Sequence, residues 1–313
     1  MTLISSHLES PWQLGAPLYM PAHRPDLMAI ANGEKLPYLR TMIFCTEDAI
    51  LNKEIKHSLR QLKDCLAALK TTAEPRFRFI RVRHPKLLAQ LLQLSGIEKI
   101  DGFVLPKFNE AVFNAYFDQL ANTDFKIMPT LETKEVFDVG AMQALRDALL
   151  QEAIVQQVLM LRVGGNDLFN LLGIRRTRGL TLYDTPLAHV IAQLLTIFKP
   201  YDFHLSAPVF EYLNDIETLR REIHIDLAYG LTGKTAIHPE QVALIESAYA
   251  VSADDYQMAL SICEEHAPAV FKMHNAMCEI TTHQRWARDI LNRQRSFGVV
   301  VSDATQQDVC LLG

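Results

Sequence analysis

The sequence predicts an α/β protein built as a (β/α)8 barrel with a C-terminal helical extension, and three observations carry that expectation. Eight short apolar, β-rich runs recur roughly every 25 to 40 residues. Amphipathic or polar stretches, several with apolar residues at i, i+3 and i+4, lie between them. The length of 313 residues, 49% hydrophobic and 21% charged, suits one large barrel with a sizeable core, or else two smaller domains.

Taken in order, the first run is APLYMP from Ala16. TMIFCTED from Thr41 precedes a helical pattern over residues 52–70, and FRFIRVR from Phe77 precedes one over 86–94. GFVLPK from Gly102 leads into 109–120, and FKIMPTLET from Phe125 into 136–157. VLMLRVGGND from Val158 is followed at a distance by 186–198, and DFHLSAPVF from Asp202 by 215–227. The eighth run, GLTGKTAIHP from Gly230, leads to a last barrel helix over 241–248. Two further helical patterns, 254–267 and 280–293, form the extension. The expected organisation is therefore a catalytic barrel over residues 1–250 and an extension over 251–313. With no Gly/Ser-rich linker before it, the extension either belongs to the same domain or docks on a neighbouring subunit.

Composition narrows the function. A net charge of -5 with scattered Lys and Arg provides no basic stripe for a phosphate backbone, so nucleic acid is not expected, whereas a small anionic substrate is. The five cysteines, Cys45, Cys65, Cys263, Cys278 and Cys310, are odd in number and free of C-x-x-C pairs, which argues against a disulfide framework or a zinc knuckle. No basic leader followed by an apolar run, and no stretch of about 18 apolar residues, is present. A cytoplasmic protein without a membrane partner is the expectation.

Parallel barrel strands are buried on both faces, so ionisable groups within them should be rare. Here they gather at the C-terminal ends: His23 and Arg24 after the first run, Glu47 and Asp48 in the second, Arg81 and Arg83 in the third. Lys107, Glu132 and Asp167 end the fourth, fifth and sixth, and the eighth carries Lys234 and His238. In a barrel these ends converge on the face where active sites are built. Glu132 and Asp167, on adjacent strands, form a natural ligand pair for Mg2+, which takes one or two carboxylates and completes its shell with water and substrate oxygens. Arg81 could clamp a substrate carboxylate or carbonyl. A divalent ion and a guanidinium around one oxygen stabilise an enolate. Structural readings stand beside these. Asp167 after Gly164-Gly165-Asn166 reads equally as a helix N-cap, and Glu132 as part of the next helix's first turn. Arg83 fits a half-exposed strand pairing with surface acids, Lys107 and Lys234 fit solvated loops, His238 fits a structural role, and Cys45 fits a small core residue.

The ordered motifs PAHRPD (21–26), TEDAI (46–50), IRVR (80–83), LPK (105–107), PTLET (129–133), GGNDLFNLLG (164–173) and GKTAIHPEQ (233–241) carry a resemblance. Together they resemble the citrate lyase β-subunit-like branch of the HpcH/HpaI aldolase family. The resemblance implies a TIM barrel, Mg2+ with Mn2+ as the alternative, cleavage or formation of a C–C bond between an acyl or α-keto acid and an aldehyde or ketone, and a homotrimer or hexamer. Position by position it implies Glu132 and Asp167 as metal ligands. It also matches Arg81, Glu47, Asp48 and Arg24 to family positions; Arg81, Glu47 and Asp48 are then expected as the catalytic set and Arg24 as substrate-binding, to which the charge and place of Arg83 and Lys107 at strand ends add these two. Departures bear on the ligand. Ala16-Pro17 stands where relatives carry Arg-Ser, which argues against a CoA thioester; Arg83 replaces a usual Asn, and Asn166 a usual Glu. Two rivals follow: a biosynthetic enzyme condensing a non-CoA substrate, and a non-catalytic barrel.

Overall fold

The computed structural model describes residues 8–71 and 75–300, so Cys310 lies outside the described residues. Seven strands form one parallel sheet in chain order: β1 (Leu18–Pro21), β2 (Thr41–Cys45), β3 (Phe77–Arg81), β4 (Gly102–Leu105), β5 (Lys126–Leu131), β6 (Leu161–Val163) and β7 (Leu205–Ser206). The eighth run forms no regular strand, yet it closes the ring. The Thr232 and Ala207 amides donate to the Leu205 and Gly233 carbonyls at 2.8 and 2.7 Å; on the other side, Ala236 and Tyr19 donate to Pro17 and Ala236 at 2.8 and 3.1 Å. Parallel bridges Leu18 to Ala236 and Ala207 to Lys234 complete the closure. The chain is a TIM barrel.

Register fixes which side chains point inward, because alternate residues of a strand share a face. Ile43 lies beside Phe79, and Val104 beside Met128. With Leu14, Phe77 and Met160 they make a packed apolar filling. Gly102 is required where β4 meets β5, since a Cβ there would stand 1.8 Å from the Lys126 carbonyl oxygen. The helix expected over 136–157 is broken: a 3-10 turn at Lys134–Phe137 precedes helices Val139–Leu149 and Glu152–Val155. The Asp138 carboxylate caps the first of these helices, accepting from the Ala141 amide at 2.9 Å, and Gln151, at φ -57°, ψ 133°, separates it from the second.

The chain divides into two compact units after Ile245, within the helix Pro239–Ala248. In the smaller unit, helices Ala253–Cys263 and Ile280–Phe297 pack through Ala259, Ile262, Ala287 and Ile290 with Val251 and Cys278. A hairpin absent from the sequence expectation, Val270–Met273 against Ala276–Glu279, lies between them in sequence. Its two turn residues, His274 and Asn275, have φ of 47° and 61°, the left-handed pair that matches strand twist. The usual sequence sign of that turn is a glycine, which His-Asn lacks. No helix among the described residues is long and apolar enough to cross a membrane.

Candidate active site

At the C-terminal end of the barrel lies a cleft of about 620 Å3, with Tyr19, Asp48, Arg81, Thr130, Glu132, Arg162 and Asp167 among its lining. Glu132 is the residue after β5 and is 4% exposed. One carboxylate oxygen, Oε1, accepts the Lys107 backbone N–H at 2.8 Å and Arg81 Nη2 at 3.2 Å; among the described residues Oε2 has no partner. Its place depends on Gly164, where a Cβ would come within 2.2 Å of Oε2. Lys107 offers its amide from a left-handed backbone, φ 49°, which a non-glycine residue rarely adopts without support.

Arg81 ends β3 and gathers three acids on one nitrogen. Nη2 stands 2.8 Å from Glu47, 3.1 Å from Asp48 and 3.2 Å from Glu132. Lys107 Nζ adds Glu47 at 2.6 Å, Asp48 at 3.5 Å and Asp167 at 3.8 Å. Four carboxylates therefore share two cations, and their proton affinities register the imbalance. Burial pushes the Glu132 carboxyl up to about 7, Arg81 opposing and Asp167 reinforcing. Burial also raises Glu47, as does a side-chain hydrogen bond with Asp48. Burial acts upward on Asp48 as well, but that hydrogen bond, Arg81 and Lys107 hold it below the ordinary range.

The structure brings Glu47, Asp48, Arg81, Lys107, Glu132 and Asp167 together. Asp48, Arg81, Glu132 and Asp167 line the cleft, Glu47 and Lys107 join them through ion pairs, and Arg24 and Arg83 do neither. Arg24 pairs with Asp26, which also holds Lys35, on the turn after β1. Arg83 instead ties down the loop after β2, donating to the Glu47 and Ile50 carbonyls at 3.3 Å each and to Asn52 Oδ1 at 2.7 Å. Their geometry is that of loop anchors, because short partners already occupy these guanidinium groups. The capping reading of Asp167 is also corrected. Gly164 is the N-cap of helix Gly165–Leu171, and Asp167 lies within its first turn. Nor does Glu132 belong to the following turn, which begins at Lys134.

Lys234 is neither solvated nor in the cleft. It is 1% exposed and bonds Glu222 at 2.8 Å and Asp226 at 2.9 Å on helix Ile216–Ala228. Arg176 also pairs with Glu222, and Tyr183 donates to Asp226 at 2.6 Å. This buried network secures the closing segment, since a buried charge must be paired. His238 is half-buried beside Glu240. Sequence reasoning missed Tyr19 and Arg162. The Arg81 and Arg162 guanidinium carbons stand 5.6 and 5.2 Å from the centroid of the Tyr19 ring.

Glu132 and Asp167 fit a Mg2+ ion by their chemistry. Both line one cleft, Glu132 keeps Oε2 unengaged, and the surrounding acids outnumber the bases. Among the described residues no group of three or more His, Cys, Asp or Glu side chains forms a complete cage. An incomplete oxygen shell is what a hard ion shared with water and substrate needs.

A family model described as C–C bond lyase of the TIM-barrel fold matches residues 8–299. A citrate lyase subunit beta-like protein from Deinococcus radiodurans is 29% identical over 276 residues, covering 85% of this chain and 90% of that protein. Among solved structures, CitE from Mycobacterium tuberculosis with magnesium, acetoacetate and coenzyme A superposes with a TM-score of 0.64 at 20% identity, covering 89% of this chain and 97% of that one. The citrate lyase beta subunit of M. tuberculosis with oxaloacetate and magnesium gives 0.56 at 20% identity, covering 76% and 98%.

Proposed function

The chain belongs to the C–C bond lyases of the TIM-barrel fold, and on that premise we propose that it is a Mg2+-dependent lyase or aldolase acting through the enolate of a small keto acid or acyl compound. One observation carries the reading. Four carboxylates meet two cations around a cleft, and the most buried of them, Glu132, keeps one oxygen free of protein partners. Such a site gains from a divalent cation. The M. tuberculosis relative's magnesium and oxaloacetate support the same ligand chemistry.

Glu132 and Asp167 would hold the ion, which when bound supplies Lewis-acid polarisation of a carbonyl oxygen. Arg81, with its Nε buried and without a protein partner, lends positive charge to the oxygen that becomes negative as the C–C bond breaks. Glu47 and Asp48, each ion-paired with Arg81 and Lys107, are the carboxylates beside that guanidinium that would exchange the proton the enolate carbon must gain or lose. Lys107 keeps Glu47 in place through Nζ and Glu132 through its amide. The loop anchored by Arg83 keeps the pair at the cleft mouth.

The finer reading is a substrate that is not a CoA thioester. Ala16 and Pro17 are buried where the resemblance implies an arginine and a serine, so that position offers no charge to a ligand. Calorimetric titration of Mg2+ tests the metal pair: wild type binds and Glu132→Ala does not. Deuterium exchange at the α-carbon of keto acids, compared with thioesters, tests the chemistry. Absence of Mg2+ binding in wild type even with pyruvate present would remove the proposal, and exchange confined to thioesters would remove its non-CoA part.

A further inference from the structure

Lys107 plays two separable parts at the acid cluster. Its backbone N–H donates to Glu132 Oε1 at 2.8 Å from a left-handed residue, φ 49°. Its ammonium lies on the other three carboxylates, 2.6 Å from Glu47, 3.5 Å from Asp48 and 3.8 Å from Asp167. The first part belongs to the main chain, so any residue that accepts this backbone can perform it. The second belongs to Nζ alone.

For two of its acids Nζ is one anchor among several. Glu47 is also held by Arg81 Nη2 at 2.8 Å and by the Asp48 amide at 3.0 Å, and Asp48 by Arg81 at 3.1 Å. Asp167 differs. Among the described residues Nζ is its only ion-pair partner, and at 3.8 Å the contact is long. The Lys107 side chain is 48% exposed, so an ammonium on a flexible four-carbon stem can leave that contact and be met by water. Lys234 is the contrast: it is 1% exposed between carboxylates at 2.8 and 2.9 Å, with no water to leave for.

We propose that the Lys107 ammonium is a tethered counter-cation that competes with a divalent ion for Asp167, so that Nζ must give up that carboxylate when a metal is bound. The inference rests on the metal reading above and deepens it. The competition falls on one member of the pair, since Glu132 receives the Lys107 amide rather than Nζ. Its consequence has a sign. A cation that only positioned the acids would, on deletion, weaken Mg2+ binding; a competitor, on deletion, strengthens it. Repulsion in a partly exposed site is strong at contact range and screened beyond it, so a cation paired elsewhere on the same face has little effect.

The test is calorimetric titration of Mg2+ into the full chain at about 0.15 M salt, where distant charges are screened. Lys107→Met removes the charge and keeps the bulk of the stem. Lys107→Gly removes it and eases the left-handed backbone, so the pair of variants guards against misfolding of either one. Both should bind Mg2+ about tenfold more tightly than wild type, and Lys107→Arg should stay within about threefold of it. The rise in melting temperature from EDTA to saturating Mg2+ should be larger in Lys107→Met than in wild type. Arg24→Met, which removes a cation paired with Asp26, should change Mg2+ affinity by less than about twofold. Equal or weaker binding in both neutral variants overturns the competition and leaves Nζ a positioning group. An equal gain in Arg24→Met overturns it as well, because net charge alone then accounts for the effect. Binding by wild type with no gain in the variants sinks this inference alone, whereas no binding by any of these proteins sinks the metal reading with it.

Discussion

Replacing Glu132 by Gln in metal-free protein isolates the cost of a buried charge. Folding raises the Glu132 pKa from 4.5 to about 7, with burial as the leading cause. The sign follows from proton linkage: between those two values the folded state holds more proton than the unfolded one, so stability declines as pH rises. Below about 4.5 the penalty is absent; above about 7 it is complete. A shift of roughly 2.5 units corresponds to about 3 kcal/mol, an order-of-magnitude figure for a group this buried. Gln is neutral at every pH and keeps a similar shape. Urea unfolding in EDTA at pH 5 and pH 8 should therefore show wild type losing about 2.5 kcal/mol relative to Glu132→Gln over that interval, a little of the penalty being already present at pH 5. Saturating Mg2+ at pH 8 should recover much of the difference in wild type alone, because a ligand of the folded state stabilises it. Parallel pH profiles for the two proteins in EDTA would refute the account of Glu132 as a strained carboxylate awaiting a cation.

Gly164→Ala should leave the barrel folded by circular dichroism but abolish Mg2+ binding, since the added methyl collides with Glu132 Oε2 at 2.2 Å. Lys234→Met should destabilise the protein by about 3–5 kcal/mol in urea unfolding, because Asp226 and Glu222 lose a buried partner, while Mg2+ affinity at the remote cleft is unchanged in the folded fraction. Arg83→Ala should lower turnover about tenfold with little change in KM, the signature of a loop anchor for Glu47 and Asp48 rather than of a substrate contact.

The barrel was legible in the sequence because its signal is carried by many residues at once: each strand is a local apolar run, and each intervening helix a local period. The hairpin at His274-Asn275 escaped because its sign depends on two backbone angles that glycine usually announces. The break at Asp138 escaped for a related reason, since a single capping carboxylate can outweigh an otherwise continuous helical pattern. The convergence of Glu47, Asp48, Arg81, Lys107, Glu132 and Asp167 follows from one rule, that charges at strand ends meet on one face of a barrel. The rule could not tell a cleft residue from a loop anchor, which is how Arg24 and Arg83 entered the set.

Arg162 shows where that rule has to be extended. Its position inside VLMLRVGGND made it an ionisable residue within a strand, the very thing that burial on both faces disfavours, and so a stronger anomaly than any charge at a strand end. A charge near the mouth of a barrel can reach water; one within a strand must be answered by the protein or by a ligand. Lys234 illustrates the first answer, with two carboxylates within 3 Å. Among the described residues Arg162 has no such pair, and the in-register Thr130 and Ser206 hydroxyls beside it have no hydrogen-bond partner either. What Arg162 has instead is a hydrogen bond to Thr235 Oγ1 at 2.6 Å and the face of the Tyr19 ring, a neutral answer to a buried cation where Lys234 has a charged one.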